Sequence, residues 1–430
     1  MIVVDMFKLP IQFILERYVT KYFKKHPEVK LIVVAGSVGK TSTKHAIATL
    51  LSQRFAVAMQ EGNHNTHLSA PLAILGIKYP ENIKSIAAWL SVFRAARTRI
   101  KMPTGPDVII QEIGADHPGD IARFGRYLRP YIGVVTSVTP EHMEYFKTMD
   151  AVAKEELMAA NFSELAIINR DDIDGEYAKF LTNGNLNTYG TTGIAEYKFE
   201  MQNFTTENGY EGAVFTPEYD PIQATVKVAG EHSLRPVMGA VAVAVKMGMT
   251  TEQIAAGLKL IRPVPGRMNI LKGQNKTLII DDSYNSSPIA ASSALQALYG
   301  LQAPQHIAVL GDMNELGDVS AAEHEKLGKL CDPNILSWVV TVGEQAEKYL
   351  APAARQRGCQ VRSFKSAIDA GGFVRGVMEE GAAILVKGSQ GGIYTEETVK
   401  VISTMEEGDE LVRQSPQWLK TKADFFSKFS

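Results

Sequence analysis

From residue 29 onward, short runs of β-branched and apolar residues alternate with stretches whose apolar positions recur every three or four residues. The runs VKLIVVAG (29–36), PDVIIQEIGA (106–115), PYIGVVTSV (130–138) and ELAIINRDD (164–172) are each bounded by Gly, Pro or polar residues. Near-continuous apolar strands of this kind belong to parallel sheets covered on both faces. Between about 190 and 229 the character changes to shorter alternating segments, EYKFEMQNF and EGAVFTPEY, punctuated by Asn-Gly and Pro, which predicts an antiparallel β excursion. Helical spacing returns over 235–260, and the Pro/Gly-rich RPVPG at 262–266 reads as a linker. A second series of strands follows, in NKTLIIDDS, QHIAVLGDM, LSWVVTVGE and GAAILVKGS, with helical segments between them. The expectation is two α/β lobes, over 29–262 and 263–430, with no internal repeat.

Residues 1–28 have a different pattern. Ile11, Ile14, Leu15, Tyr18, Val19, Tyr22 and Phe23 recur at helical spacing, with Pro10 suited to a first turn and Lys24, Lys25 and Pro27 closing the helix. The segment lacks a basic stretch ahead of an apolar core and a small-residue cleavage site, so it reads as no secretory signal. Packing on the rest of the chain is the simpler role for it, with a partner- or membrane-surface role as the alternative.

Composition narrows the classes. The 430 residues carry 45 Lys+Arg against 47 Asp+Glu, a net charge of −2, so nothing in bulk electrostatics points to nucleic acid. The longest apolar stretches, such as VMGAVAVAV, fall short of the roughly 18–20 residues that span a bilayer. Cys331 and Cys359 alone build no disulfide framework or four-cysteine zinc site, and a reducing, cytoplasmic setting is expected, with both thiols as buried small hydrophobes.

The strongest local signal is LIVVAGSVGKTSTKHAIATLL at 31–51, a strand, a glycine turn and a helix. Gly36, Ser37, Val38, Gly39, Lys40, Thr41 and Ser42 form a phosphate-binding loop in a short GxxGKT spacing. Backbone N–H groups and the helix N-terminus would face anionic oxygens, Lys40 would add a point charge, and the Thr41 hydroxyl would reach Mg²⁺. The first lobe is therefore expected to be a P-loop-type parallel-sheet ATPase domain, and the second a Rossmann-like α/β domain. Glu112 and His142 lie just past later strands, where open α/β sheets bind ligands, and are candidate metal-side groups. In DDSYNSSP two carboxylates, a phenol and an amide converge after one strand, and KGS after GAAILV reads as a further anion-binding turn. Arg94, Arg97, Arg99 and Lys101 form a basic cluster, read as a solvated helix face. No NKxD-type base-reading element accompanies the first sheet, which argues against a GTPase switch.

The phosphate loop, EGNHNTHLSAPLAILG, QEIGADHPGDI, TPEH, GEH, PGRMN, DDSYNSSP and VLGDMNELG follow one another in this order. In that order the chain resembles the Mur ligase family of ATP-dependent amide-bond-forming enzymes over roughly residues 30–400. DDSYNSSP and LGDMNELG look most like the branch that adds D-alanyl-D-alanine to a UDP-N-acetylmuramoyl tripeptide in peptidoglycan precursor synthesis. The resemblance implies that ATP phosphorylates a substrate carboxylate and an amine then attacks the acyl phosphate. By position it implies that Lys40 contacts the β/γ-phosphates, that Thr41 and Glu112 hold one Mg²⁺, and that His142 attends a second metal. Arg267 would reach the phosphates from the second lobe, with Asp281, Asp282, Tyr284 and Asn285 holding nucleotide. Asn63, Asn65 and Thr66 would face the nucleotide-linked substrate, and Asp312, Glu315, Lys387 and Ser389 the acceptor amine.

The pattern departs from the family in three places. Residues 1–28 alone precede the phosphate-loop strand, where relatives carry a UDP-binding lobe, so UDP recognition is left to another surface, a partner, or a donor without UDP. The family's carbamylated lysine falls on Glu156, whose carboxylate would stand in for the carbamate; a slipped register with a modified Lys154 is the alternative. Pro236 in GEHSLRP and Gln390 in KGSQ replace an amide and a charge. A folylpolyglutamate-like or γ-glutamyl ligase, and a nucleotide-binding regulatory protein without ligase activity, therefore stay open as alternatives.

Overall fold

The computed structural model describes residues 2–60, 62, 64–80 and 82–429. The N-terminal helix spans Ile2–Lys25, so Pro10 lies inside it rather than in its first turn. There its ring forgoes one backbone hydrogen bond. Leu15, Tyr18, Val19 and Tyr22 are buried against the first lobe, and Arg123 clamps Glu16 at 2.7 and 3.0 Å. One side of this helix thus packs on the protein's own surface, while Leu9 and Phe13 stay exposed. Two members of the basic cluster are drawn into the same contact. Arg97 donates to Tyr18 Oη at 2.9 Å and Arg99 to Tyr22 Oη at 3.3 Å, so that part of the face is not simply solvated.

The first sheet has nine strands: β1 (Lys30–Ala35), β2 (Val57–Met59), β3 (Val108–Glu112), β4 (Ile132–Val135), β5 (Leu165–Asn169), β6 (Leu186–Gly190), β7 (Tyr197–Thr205), β8 (Gly209–Phe215) and β9 (Ile222–Val226). Their order is β2-β3-β1-β4-β5-β6-β7-β8-β9. Pairing is parallel as far as β7 and antiparallel beyond it. The antiparallel excursion is therefore an extension of the parallel sheet rather than a separate layer. Alternation along β1 sends Ile32 and Val34 into a core with the helices Lys40–Leu51 and Leu234–Lys246. Leu31, Val33 and Ala35 enter the opposite core, which the N-terminal helix covers.

The second sheet has six: β10 (Asn269–Lys272), β11 (Leu278–Asp282), β12 (His306–Gly311), β13 (Leu336–Val342), β14 (Val361–Phe364) and β15 (Ala383–Lys387), in the order β10-β11-β15-β12-β13-β14. Only β10 runs antiparallel to its neighbour among these pairings. Each face has its own apolar core, and Cys331 and Cys359 are free and buried. Residues 259–268 connect the lobes. Among the described residues no helix is long and apolar enough to cross a membrane.

Candidate active site

The carboxyl ends of β1, β3 and β4 lie side by side, because Val34 pairs with Glu112 and Ala35 with Val135. This register brings the loop 36–39 against the residues following β4. Gly36 has φ 125°, and a Cβ there would lie 2.2 Å from Thr136 Oγ1, so a side chain is excluded by both backbone and space. The loop is tied down at every turn. Ser37 N–H donates to Ser137 O at 3.1 Å, Val38 N–H to Ser137 Oγ at 2.7 Å, and Thr136 Oγ1 to Val38 O at 2.6 Å. Gly39, with φ 88°, then starts the helix Lys40–Leu51.

Lys40 Nζ donates to Gly36 O and to Ser37 O at 3.1 Å, and lies 3.8 Å from Glu141. Burial works against its charge, but Glu141, Glu156 and Glu112 outweigh that and raise its pKa. The Thr41 hydroxyl donates to Glu112 Oε2 at 3.0 Å and accepts from Arg267 Nη2 of the second lobe at 3.1 Å. Glu112 also accepts from Asn65 at 3.4 Å and lies 3.6 Å from buried Lys44. His142, in left-handed backbone at φ 49°, has Nδ1 3.3 Å from Glu315 of the second lobe and Nε2 3.6 Å from Asp116.

The second lobe closes this site from the other side. Asp282 and Lys387 are paired neighbours on β11 and β15, and their side chains meet at 2.6 Å, with Lys387 Nζ also donating to Asn285 O at 2.9 Å. The Arg267 guanidinium stacks over the Tyr284 ring at 4.2 Å. Between the lobes lies a cavity of about 490 Å³, lined among others by Lys40, Thr41, Glu112, Arg267, Tyr284 and Lys387. Ser37, Val38, Gly39, Ser42, Asn65, His142, Asp282, Asn285 and Glu315 also reach it, while Gly36 shapes the loop from behind.

Several expected residues are placed elsewhere. Lys154 is exposed and is not among the residues that line the cavity. Glu156, two positions along the same helix, turns inward and accepts from Gly36 N–H at 2.7 Å, behind the loop rather than in the cavity wall. Burial, with Glu141 and Glu155 nearby, raises its pKa to about 7 against the opposing pull of Lys40 and the Gly36 N–H. Asp281 faces the opposite side of β11 from Asp282 and is fully buried, bonded to Ser283, so it is not a wall residue. Asp312 is likewise committed, accepting from Ala346 N–H at 2.7 Å; Ser389 Oγ accepts from Asn314 N–H at 2.9 Å. Thr66 bonds Ser69 at the start of the next helix, and Asn63 lies outside the described residues.

The sequence reading passed over Glu141 and Lys44. Glu141 adjoins His142 after β4, and only the fold puts it beside Lys40. Lys44 follows Lys40 by one helical turn, a spacing that puts the two on one side of the helix, where Lys44 reaches Glu112 at the end of β3. At the far end of the cavity Arg235 bonds Asp172 at 2.8 Å and Asp171 at 3.3 Å beside His232, whose charged form burial and the cations Arg235 and Lys387 disfavour, lowering its pKa to about 3.

The donor set suits a hard divalent cation. The Thr41 hydroxyl and Glu112 carboxylate face the cavity at hydrogen-bond distance, and Mg²⁺ is held in this manner by one or two protein oxygens with substrate phosphates and water. Glu156 stands one step back from this pair: its Oε2 accepts from the Gly36 N–H behind the loop, and it is not among the residues that line the cavity.

Over residues 34–244 the sequence matches the Mur ligase middle domain, and over 266–390 the glutamate ligase domain of the Mur ligases. It is 27% identical over 384 residues to the UDP-N-acetylmuramoyl-tripeptide--D-alanyl-D-alanine ligase of Bacillus subtilis, spanning 86% of this chain and 75% of that one. A crystal structure of MurF from Acinetobacter baumannii superposes with a TM-score of 0.74 at 22% identity, covering 90% of this chain and 80% of the other. MurF ligase from Thermotoga maritima in complex with ADP gives 0.70 at 20% identity, covering 90% and 84%.

Proposed function

The chain belongs to the Mur ligase family, and from that premise we propose that it is an ATP- and Mg²⁺-dependent ligase joining D-alanyl-D-alanine to a UDP-N-acetylmuramoyl tripeptide in cytoplasmic peptidoglycan precursor synthesis. The observation that carries the reading is the cavity whose one wall bears Lys40, Thr41 and Glu112 and whose other bears Arg267, Tyr284 and Lys387. Phosphoryl transfer is served by cations and hydrogen-bond donors on both sides of the transferred group and by exclusion of water, which two facing lobes supply.

In this reading the loop amides and Lys40 bind the β/γ-phosphates, and Arg267 approaches them from the second lobe. Bound Mg²⁺, held by Thr41 and Glu112, would neutralise charge on the phosphoryl oxygens. The carboxylate of the tripeptide attacks the γ-phosphorus, its oxygen forming the new P–O bond as ADP leaves, to give an acyl phosphate. The amine of the dipeptide then attacks the acyl carbon, phosphate departs, and the amine's proton must be taken up. His142, held between Asp116 and Glu315, is placed at the lobe junction where that acceptor would enter. Glu156 acts through the loop, orienting the Gly36 N–H and holding Lys40 charged.

The test is ADP release with ATP and Mg²⁺, offering UDP-N-acetylmuramoyl tripeptide with and without D-alanyl-D-alanine, and Lys40→Ala as background. Release that needs both substrates, with the amide product found by mass, supports the reading. Release with a different donor or amino acid would reassign the substrates, and nucleotide binding without any substrate-dependent release would refute ligase activity with these substrates.

A further inference from the structure

The stretch beyond residue 390 lies outside the span matched by the family domains, yet it reaches the back of the nucleotide wall. Arg413, whose side chain is 5% exposed, lies in left-handed backbone at φ 55°. A non-glycine residue holds that conformation where its surroundings fix it. Its guanidinium makes a two-point pair with Glu396, Nε to Oε1 at 2.8 Å and Nη2 to Oε2 at 2.7 Å. The outward edge of the same fork donates to two main-chain oxygens of the segment after β11, Nη2 to Ser283 O at 2.7 Å and Nη1 to Tyr284 O at 2.9 Å. Next door, Val412 packs on Gly266, where an added Cβ would come within 2.8 Å of its Cγ1, and Tyr284 N–H donates to Gly266 O at 2.9 Å.

We infer that Arg413 is a positioning residue for the nucleotide wall, fixing the Ser283–Tyr284 backbone and through it the Tyr284 ring and the Arg267 guanidinium stacked on it. The chain of contacts is continuous: Glu396 orients Arg413, Arg413 anchors two carbonyls, and Tyr284 backs Arg267, whose far end reaches Thr41 across the cavity. A planar fork with donors on two edges is what this position requires, because one ammonium cannot meet both Glu396 oxygens and both carbonyls at once. Arg413 itself does not line the cavity. Lys422 supplies the internal comparison. It joins the same tail to Glu396 at 3.4 Å and to Glu397, whereas the carbonyls of Ser283 and Tyr284 are held by Arg413.

This inference rests on the nucleotide reading of the cavity, so the experiment begins with wild-type protein and Mg-ATP in a calorimeter. Arg413→Met, Arg413→Lys and Lys422→Met are then compared by the same titration, by melting temperature, and by KM for ATP and kcat. Both Arg413 variants are expected to bind ATP about tenfold more weakly and to raise KM for ATP in proportion, the loss of one or two main-chain anchors. Their kcat at saturating ATP should change by only about twofold. Lys422→Met should lower the melting temperature and leave ATP affinity unchanged. Arg413→Lys keeps the buried charge opposite Glu396 and so provides a folded variant should Arg413→Met not accumulate. Wild-type protein that binds no ATP would overturn the nucleotide reading and this inference together. Wild-type binding matched by Arg413→Lys would overturn this inference alone, as would equal affinity losses in the Arg413 and Lys422 variants.

Discussion

Replacing Glu156 by Gln keeps an oxygen for the Gly36 N–H while removing a charge that burial resists. The carboxyl pKa rises from 4.5 to about 7 in the folded chain, which at about 1.36 kcal/mol per unit corresponds to roughly 3 kcal/mol. Below 4.5 both folded and unfolded chains hold the proton, and the full benefit of the neutral carboxyl is present. Between 4.5 and about 7 the folded chain retains a proton that the unfolded chain has lost, so stability falls as pH rises. Above that range both are ionised and the contribution is gone. Glu156→Gln has no such proton to lose. Urea unfolding of both proteins in EDTA should therefore show the variant gaining on the wild type by roughly 2–3 kcal/mol between about pH 5 and pH 8.5. A stability gap that stays flat across this range, or a variant that loses ground as pH rises, would refute the reasoning.

Gly36→Ala places a methyl on Thr136 Oγ1 at a φ that side chains avoid; the loop must shift, and calorimetry should show at least about tenfold weaker ATP binding together with a lower melting temperature. Thr41→Val keeps the shape but removes the hydroxyl shared by Glu112 and Arg267, and turnover should fall about 100-fold in the coupled ADP assay with the fold intact. Lys387→Met leaves Asp282 without its ammonium in a buried pair, with an expected loss of about 3–5 kcal/mol in urea unfolding. Most of that loss should return in Lys387→Met combined with Asp282→Asn.

The phosphate loop is legible in the sequence because its geometry is local. Two glycines, a lysine and a threonine between a β-branched strand and a helix have few ways to fold. The long strands are legible for the same reason. By contrast β2, with three residues, and β6, LNTYG with two buried positions, carry too little periodicity to announce themselves. Asp281 and Asp282 stand side by side in DDSYNSSP, yet alternation along β11 sends them to opposite faces, a separation that strand parity alone dictates. Helix geometry similarly divides Lys154, which faces solvent, from Glu156, which faces the loop. Glu141 and Arg413 were out of reach of any local signal. The first acquires its meaning from Lys40 and the second from Ser283 and Tyr284, both distant in the chain.

The hydroxyls of Thr136, Ser137 and Ser37 lace the phosphate loop to the strand end beside it. A loop already held in this way has little freedom left to surrender when an anion arrives. Its share of binding should appear as enthalpy, with a small change in the mobility of residues 36–39. The ordering entropy would then be concentrated at the lobe junction, where Thr41 meets Arg267 and His142 meets Glu315. On that division of labour, the tightness of nucleotide capture and the strength of the contacts across the lobe junction are separately adjustable by mutation.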